Sequence, residues 1–562
     1  MASQEKSQPR QQNDAKRPYS HRNKKMAKKK ARKRERDMKN GSHEEILKLD
    51  VQELYASLHE EEAWDAEETL PEEGSEIELE VLELSSTGDA LALQKGSKQI
   101  YVVPFAVPGD VVKAKVFRHL HDENYSAADF ISVVRPSPSR DDSRIKCKYF
   151  STCSGCQYQM LDYPEQLRVK RRVVEKAFRN FSQLPPELVP AIQDTIGSPL
   201  QLGYRTKLTP HFDGPANWRK KQPFEARPPI GFMLKGRRTT LDIEDCPMGT
   251  DAVRLGMKLD RERMEKEYGN YTRGATILLR ESTERVPKSD EAAVAKALES
   301  FDPGKAVKVE AEKYIDIKTY ITDNNAISTE YVDDFVFHNP AGSFFQNNNS
   351  ILPIFTDYVR QHILPPAVPP PSSSSSSEPT STTSSPIKYL IDAYSGSGLF
   401  TITLSSLFSG STGIDISDAS IQSARQNALE NGLPYSQANF LSADARELFR
   451  GAAERYEPDQ TVVILDPPRK GCDEPFLAQL LQFAPRRVLY VSCNVHTQAR
   501  DVGMLVRGEA KDGVSHAWHK KTRYEIESLR GFDFFPQTSH VEGVAVLNRV
   551  DDEPASAAAS ST

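Results

Sequence analysis

Beyond Pro386 the chain alternates short apolar strands, glycine-bearing turns and helical stretches, and this alternation constrains the fold more than any other feature. Strands that alternate with helices build a parallel sheet covered by helices on both faces. In such sheets ligands bind in the crevice at the carboxyl ends of the strands. Residues at those ends therefore carry the functional argument. One apolar run, Leu489-Tyr490-Val491-Ser492-Cys493-Asn494, reads as a buried strand that ends on a thiol. Cys493 is a candidate nucleophile, and a nucleophile there implies covalent chemistry. Taken alone, such a cysteine would more often be inert core.

The strand Tyr389-Leu390-Ile391-Asp392 runs into Ala393-Tyr394-Ser395-Gly396-Ser397-Gly398-Leu399-Phe400, and a helical pattern follows through Leu407. Gly396 and Gly398 let the backbone approach a ligand at the strand-to-helix turn. A dinucleotide fingerprint has a third glycine three positions later, where this chain has Thr401, so NAD is disfavoured against another nucleoside cofactor. The next strand ends at Gly413-Ile414-Asp415, whose carboxylate can take both ribose hydroxyls. Ser442-Ala443-Asp444 ends a third unit, and Asp444 is placed to meet an adenine amine. The bland alternative is a βαβ unit whose glycines serve packing alone. A fourth strand, Val462-Val463-Ile464-Leu465, ends in Asp466-Pro467-Pro468-Arg469-Lys470-Gly471. Its two prolines fix a rigid exit that holds Asp466 and Arg469 toward the crevice. Finally Phe534-Phe535-Pro536-Gln537-Thr538-Ser539-His540-Val541-Glu542 precedes the last apolar strand, Val544-Ala545-Val546-Leu547.

The Gly-x-Gly turn with an acidic second strand end resembles S-adenosyl-L-methionine-dependent methyltransferases of the doubly wound, Rossmann-like α/β class. The ordered set Asp466-Pro467-Pro468-Arg469, Ser492-Cys493-Asn494 and His540-Val541-Glu542 resembles, more specifically, the RNA uracil-C5-methyltransferases. Asn339-Pro340-Ala341-Gly342-Ser343-Phe344-Phe345-Gln346-Asn347 is similar to that family's segment carrying a cofactor-contacting glutamine. The resemblance runs from about Gly74 to Val550. It implies that Gln346, Tyr394, Gly396, Gly398, Asp415, Asp444 and Asp466 bind S-adenosyl-L-methionine. It also implies that Cys493 adds to C6 of uracil and makes C5 an enolate carbon. Arg469 and Asp466 would hold the base, and Glu542 would act as the general base that frees the product. These roles suit the residue types: a free thiol of pKa about 8.5 is only a few per cent ionised at neutral pH and gains from a nearby cation, and a carboxylate suits proton removal. The basic tail and Ser-rich insert resemble the fungal tRNA branch, which points to uridine 54 in the T-loop of tRNA. One departure is Val495, where the family carries proline after Ser-Cys-Asn. Ribosomal RNA as substrate, a tRNA-binding or RNA-folding protein in which methylation is secondary, and methylation of a small molecule or protein stand as alternatives. The barrel and basic segments disfavour the last.

The 562 residues suffice for two to four domains. Residues 1–73 read as a disordered tail, basic over Lys16–Lys39 and acidic over Glu60–Glu73. Residues 74–136, with short alternating runs at Ile77–Val81, Ile100–Val103 and Val111–Val116, read as a small β-barrel that resembles the RNA-binding TRAM barrel. A central α+β domain over 137–330 carries a cysteine segment and the basic helical stretch Tyr163–Phe181. The methyltransferase domain follows over 331–550, with a disordered Pro/Ser loop at 365–386, and 551–562 reads as a frayed tail. Cys147, Cys153 and Cys156 form C-x5-C-x2-C, and Cys246 precedes Pro247. Four thiolates can hold a [4Fe–4S] cluster or a zinc ion. The arrangement resembles the ribosomal-RNA branch of the family, which implies iron–sulfur, with zinc or unligated thiols as alternatives. Cys472 reads as incidental. Barrel, basic helix and tail can all supply salt-dependent phosphate contacts, while Phe344 and Phe345 either stack a flipped base or belong to the core. No stretch is apolar enough to span a bilayer or act as a signal core, and six cysteines in a chain this long are no disulfide scaffold. An intracellular monomer is expected, in nucleus or cytoplasm, with the mitochondrion still open.

Overall fold

The structure is a computed structural model that describes residues 41–58, 69–215, 222–366, 386–443, 455–509 and 522–550. The basic run Lys16–Lys39, most of the acidic and Pro/Ser stretches, Asp444 and residues 551–562 lie outside the described residues.

The mixed α/β fold centres on an eight-stranded sheet ordered Ala438–Ser442, Gly410–Asp415, Tyr389–Ala393, Thr461–Leu465, Arg487–Ser492, Glu542–Val550, Arg523–Phe532 and Gln193–Ile196. Its first five strands are parallel, and Glu542–Val550 runs antiparallel between its neighbours. Thr461–Leu465 and Arg487–Ser492 are buried at every position, which is why they read as continuous apolar runs rather than alternating ones. Val463, Leu465, Val488 and Tyr490 pack on Phe476, Leu480, Val502 and Leu505 on one face. Val462, Ile464, Leu489 and Val491 pack on Phe355, Phe400 and Ile421 on the other. The sheet is thus covered on both sides, and its parallel strand ends open on one edge. The edge strand Gln193–Ile196 is lent by the central part of the chain and pairs parallel to Arg523–Phe532.

Residues 76–135 form a closed five-stranded barrel, ordered Glu76–Leu84, Ala90–Leu93, Ile100–Val103, Tyr125–Arg135, Val111–Leu120. Glu76–Leu84 alternates exposed Glu with buried Ile77, Leu79 and Val81, as a half-buried strand must. The central region holds two four-stranded sheets and the helix Asp251–Glu267. Among the described residues no helix is long and apolar enough to cross a membrane.

Two sequence expectations need correction. Ordered structure begins before Gly74, with the helix His43–Leu58. Its Leu47, Val51 and Leu54 pack on Leu91, Ile100, Val102 and Tyr125 of the barrel. These apolar residues recur at helical spacing between two charged runs whose composition dominates the segment. The helix Tyr163–Phe181 forms as expected, capped by Asp162, but not all of its basic side chains are at the surface: Arg168, Arg172 and Arg179 are exposed, Lys170 and Lys176 are not. All six of its basic side chains pair with carboxylates: Arg168 with Glu165, Lys170 with Asp533, Arg171 with Glu175 and Asp194, Arg172 and Lys176 with Glu83, and Arg179 with Glu53. Lys170 and Lys176 are buried. The helix binds barrel, catalytic sheet and N-terminal helix together.

Candidate active site

The strand Arg487–Ser492 ends one residue before Cys493, and Asn494 then caps the helix Val495–Arg507 by accepting the His496 N–H at 3.2 Å. The Asn494 amide also donates to the Arg469 carbonyl at 3.0 Å and to the Gly41 carbonyl at 3.2 Å. One side chain therefore links the thiol loop, the Arg469 loop and the N-terminal segment. Val495 occupies the first helical turn, fully packed. The departure from proline thus falls where the helix itself fixes the loop.

Cys493, Arg469, Asp466 and Glu542 come together from three neighbouring strand ends. Burial first, then the Glu542 and Asp466 carboxyls, push the Cys493 thiol up to about 12, while Arg469, hydrogen-bonded to it, pulls it down. Burial and the nearby Asp392 carboxyl push Asp466 up to about 7. Burial and Asp466 hold Glu542 well above the usual carboxylate range. Buried acids this close do not ionise together. Cys493, Arg469 and His540 face a cavity of about 610 Å³, of the size that receives a small ligand or a single base. His540 is held neutral, pushed down to about 4 by burial and then by Arg469 and Lys170.

The loop that carries His540 and Glu542 is braced by groups outside the sequence expectation. Lys170 donates to the Phe535 and His540 carbonyls at 2.9 and 2.8 Å and pairs with Asp533. Gln537 exchanges two hydrogen bonds with Gln166, each 3.1 Å. Asn348 donates to the Phe534 carbonyl at 3.2 Å, which brings the Gln346 segment beside this loop. Gln346 is buried. Phe345 packs on Phe337 with ring centroids 5.4 Å apart, a core residue, whereas Phe344 is 75% exposed. Lys170 hides in the sequence because it sits among five other basic residues on one helix.

At the glycine turn, Gly398 has φ +93° and its Cα lies against the Phe440 ring, where a Cβ would come within 3.0 Å. Tyr394 adopts φ +66°, a conformation uncommon outside glycine, and its ring packs 5.4 Å from Phe476. Gly396 donates its N–H to Asp415 at 3.0 Å, so the second strand end holds the turn. Asp392, overlooked in the sequence, is buried and accepts the Thr401 N–H and hydroxyl at 3.0 and 2.7 Å. Thr401 thus uses hydrogen bonds where a dinucleotide fold uses a third glycine.

Cys147, Cys153, Cys156 and Cys246 line one cavity of about 280 Å³, together with Thr538 of the catalytic loop. Among the described residues no group of three or more His, Cys, Asp or Glu side chains is disposed to hold a single metal ion. Gln157 and Tyr158, next to Cys156, donate backbone N–H groups to the Gln537 carbonyl at 2.7 and 3.1 Å. The Gln157 side chain accepts the Ser539 N–H at 2.9 Å and donates to the Thr87 carbonyl of the barrel at 2.7 Å. Cys472 is buried in the core beside Tyr490.

Residues 380–550 match the family described as tRNA (Uracil-5-)-methyltransferase. The tRNA (uracil(54)-C(5))-methyltransferase of Schizosaccharomyces pombe is 42% identical over 475 residues, 84% of this chain and 78% of that protein. The chain belongs to the tRNA (uracil-5-)-methyltransferase family. A second relative in that family, the tRNA (uracil(54)-C(5))-methyltransferase of Saccharomyces cerevisiae, is 40% identical over 499 residues, 84% of this chain and 73% of its own length. The fold is shared with the crystal structure of the Pyrococcus abyssi tRNA (uracil-54, C5)-methyltransferase in complex with S-adenosyl-L-homocysteine. That similarity has a TM-score of 0.54 and 23% identity, over 84% of this chain and 100% of the other.

Proposed function

We propose that this chain transfers a methyl group from S-adenosyl-L-methionine to C5 of uridine 54 in tRNA, on a doubly wound catalytic domain preceded by a TRAM-type barrel. The observation that carries the reading is the meeting of the Cys493 thiol and the Arg469 guanidinium at one 610 Å³ cavity, with the Glu542 and Asp466 carboxyls close enough to act on that thiol. A uridine within a folded loop must leave its stack to reach Cys493.

The chemistry follows from those groups. The Cys493 thiol gives its proton to solvent in the open cavity and its sulfur bonds to C6, while the C5–C6 π electrons move onto O4 as an enolate. Arg469, already hydrogen-bonded to the thiol, stabilises the thiolate and then the developing oxyanion. S-adenosyl-L-methionine supplies an electrophilic methyl group, which the nucleophilic C5 accepts. Glu542, acting as its carboxylate beside Arg469, takes the C5 proton. The C5–C6 double bond re-forms as the C6–S bond breaks, and Cys493 is regenerated. Asp466 lies at the adjoining strand end to orient base and cofactor, and neutral His540 lines the base cavity. Tyr394, Gly396, Gly398, Asp415 and Gln346 would hold the cofactor, with Asp444 assigned from sequence alone. The Gly396–Asp415 hydrogen bond supports this by presetting the turn and the ribose-facing carboxylate as one unit.

Cys147, Cys153, Cys156 and Cys246 would hold an iron–sulfur cluster. Four thiols around one cavity supply the donor chemistry. Bridged through Gln157 to Ser539 and Gln537, the cluster would brace the catalytic loop rather than enter the reaction.

The deciding test incubates the purified chain with S-adenosyl-L-methionine and unmodified tRNA or ribosomal RNA, and locates 5-methyluridine by mass spectrometry. Product at tRNA position 54 with wild type and none with Cys493→Ala is the expected result. Modification confined to ribosomal RNA, or full turnover by Cys493→Ala, would overturn it.

A further inference from the structure

One face of the helix Val495–Arg507 closes on the loop that carries Arg469. Thr497, Arg500 and Asp501 stand three and four positions apart, so their side chains share that face. Thr497 donates its hydroxyl to the Arg469 carbonyl at 3.2 Å, beside the Asn494 amide at 3.0 Å. Arg500 donates to the Lys470 and Cys472 carbonyls at 3.0 and 3.3 Å. Asp501 accepts the Cys472 N–H at 2.8 Å. The fit is close: Gly471 has φ +76°, and a Cβ there would lie 2.6 Å from the Asp501 carboxylate and 2.7 Å from the Arg500 guanidinium. Upstream, Pro467 and Pro468 restrict the strand exit.

Asp501 is the hub of this grip. Its side chain is wholly out of solvent, and both of its oxygens are occupied. One takes the Arg500 guanidinium at 2.7 and 2.8 Å. The other takes the Cys472 N–H and the Tyr490 hydroxyl at 2.8 and 2.6 Å. Tyr490 lies in the strand that leads to Cys493. One carboxylate therefore ties together the nucleophile strand, the helix after it and the Arg469 loop. The network reaches the glycine turn as well. The Cys472 thiol donates to the Tyr490 hydroxyl at 3.6 Å and is hydrogen-bonded to Tyr394.

For stability alone, a buried ion pair gains little over apolar packing of the same volume. What this pair adds is a fixed place for two carbonyls and one N–H of the Arg469 loop. Arg469 is hydrogen-bonded to Cys493 and lowers the pKa of that thiol. A guanidinium serves a thiolate or an oxyanion only from the correct place, and its backbone anchor sets that place.

We propose that Asp501 is a positioning residue for Arg469: with Arg500 it holds the Arg469–Cys472 loop so that the guanidinium meets the Cys493 sulfur, and through Cys472 and Tyr394 it sets that loop against the cofactor turn. This role rests on the activity proposed above.

The test uses the full chain and reads Cys493 without substrate. Asp501→Asn leaves an oxygen for Cys472 and Tyr490 but turns an amide donor toward Arg500, which itself only donates. Arg500→Gln frees the same loop from a half-buried position. Iodoacetamide labels Cys493 at about pH 8, and mass spectrometry of its peptide gives the rate at which the thiolate reacts. In both variants that rate is expected to fall by about threefold or more, because only the thiolate is alkylated. Asp501→Asn combined with Arg469→Gln is expected to label within about twofold of Arg469→Gln alone, because residues that act through one group are not additive. In methyl transfer, kcat is expected to fall by about tenfold or more with the KM for tRNA within about twofold. Wild-type labelling or wild-type kcat in the folded variants would overturn the role, as would multiplied effects in the double variant. If Asp501→Asn does not fold, Arg500→Gln makes the same comparison with Arg469→Gln on its own. Slowed labelling in a chain whose wild type makes no 5-methyluridine would sink the proposed activity and keep the placement of Arg469 by Asp501.

Discussion

Lys170 donates to the His540 carbonyl at 2.8 Å although no part of its side chain reaches solvent. The same ammonium serves the Phe535 carbonyl and Asp533, so its three protons are all used. Burial lowers its pKa, and the Asp533 carboxylate opposes that shift. Two residues past His540 stands Glu542. The helix Tyr163–Phe181 therefore positions the end of the catalytic loop without touching substrate.

Lys170→Met removes one partner of a buried pair and leaves Asp533 uncompensated. Breaking such a pair costs about 3–5 kcal/mol. Denaturant unfolding is expected to show a loss of that order, with methyl transfer falling further than stability explains. Adding Asp533→Asn should recover part of the stability but not the loop position. Equal stability of Lys170→Met and wild type would remove Lys170 from this role.

Glu542→Gln keeps shape and hydrogen bonding but cannot take a proton. Addition and methylation should proceed once, and release should then stall. A denaturant-stable RNA adduct at Cys493 is expected to accumulate on gels, with multiple turnover down by about 10²-fold or more, the scale of general-base catalysis. Wild-type release rates would assign the base elsewhere.

Asp466 is raised to about 7 by burial, then by Asp392, against an ordinary value of 3.8. The unfolded chain therefore releases this proton at lower pH than the folded one. Stability falls as pH rises from about 4 to about 7 and levels off above. Asp466→Asn removes that titration. Its unfolding midpoint relative to wild type should climb across the same window and stay high at pH 8, while methyl transfer is lost. A pH-independent difference would contradict the raised pKa.

The four thiols give a separate test. Anaerobically prepared protein should contain iron and acid-labile sulfide with broad visible absorption, and Cys246→Ser should lose both. Because the cysteine loop braces Ser539 and Gln537, this variant should also turn over more slowly. A colourless wild type carrying stoichiometric zinc would refute the cluster.

The parallel strands and their catalytic ends were legible because each is a short apolar run closed by a chemically distinctive residue. Thr461–Leu465 and Arg487–Ser492 have no polar interior position to blur the pattern beyond the terminal Thr461, Arg487 and Ser492. What stayed hidden depends on partners distant in sequence. Lys170 meets Asp533 across 363 positions, and Asn494 meets Gly41 across 453. No local spacing announces such pairs. The helix His43–Leu58 was masked differently: its four buried apolar residues lie between charge runs that dominate the composition. Basicity misled at Tyr163–Phe181, since composition cannot tell a solvated lysine from one paired in the interior.

Val495 offers a last check on how the nucleophile loop is held. It begins the helix Val495–Arg507, where a backbone N–H has no intrahelical acceptor and proline is favoured. Asn494 lies at φ -135° and ψ 93°, the extended region that a residue before proline adopts. The backbone is thus already shaped for proline, while the missing Val495 packing and the stiffer unfolded chain act in opposite directions. Val495→Pro is expected to change unfolding free energy by no more than about 1 kcal/mol and to leave kcat within twofold. Loss of the Cys493 adduct in this variant would show that loop geometry depends on the valine side chain rather than on the Asn494 cap.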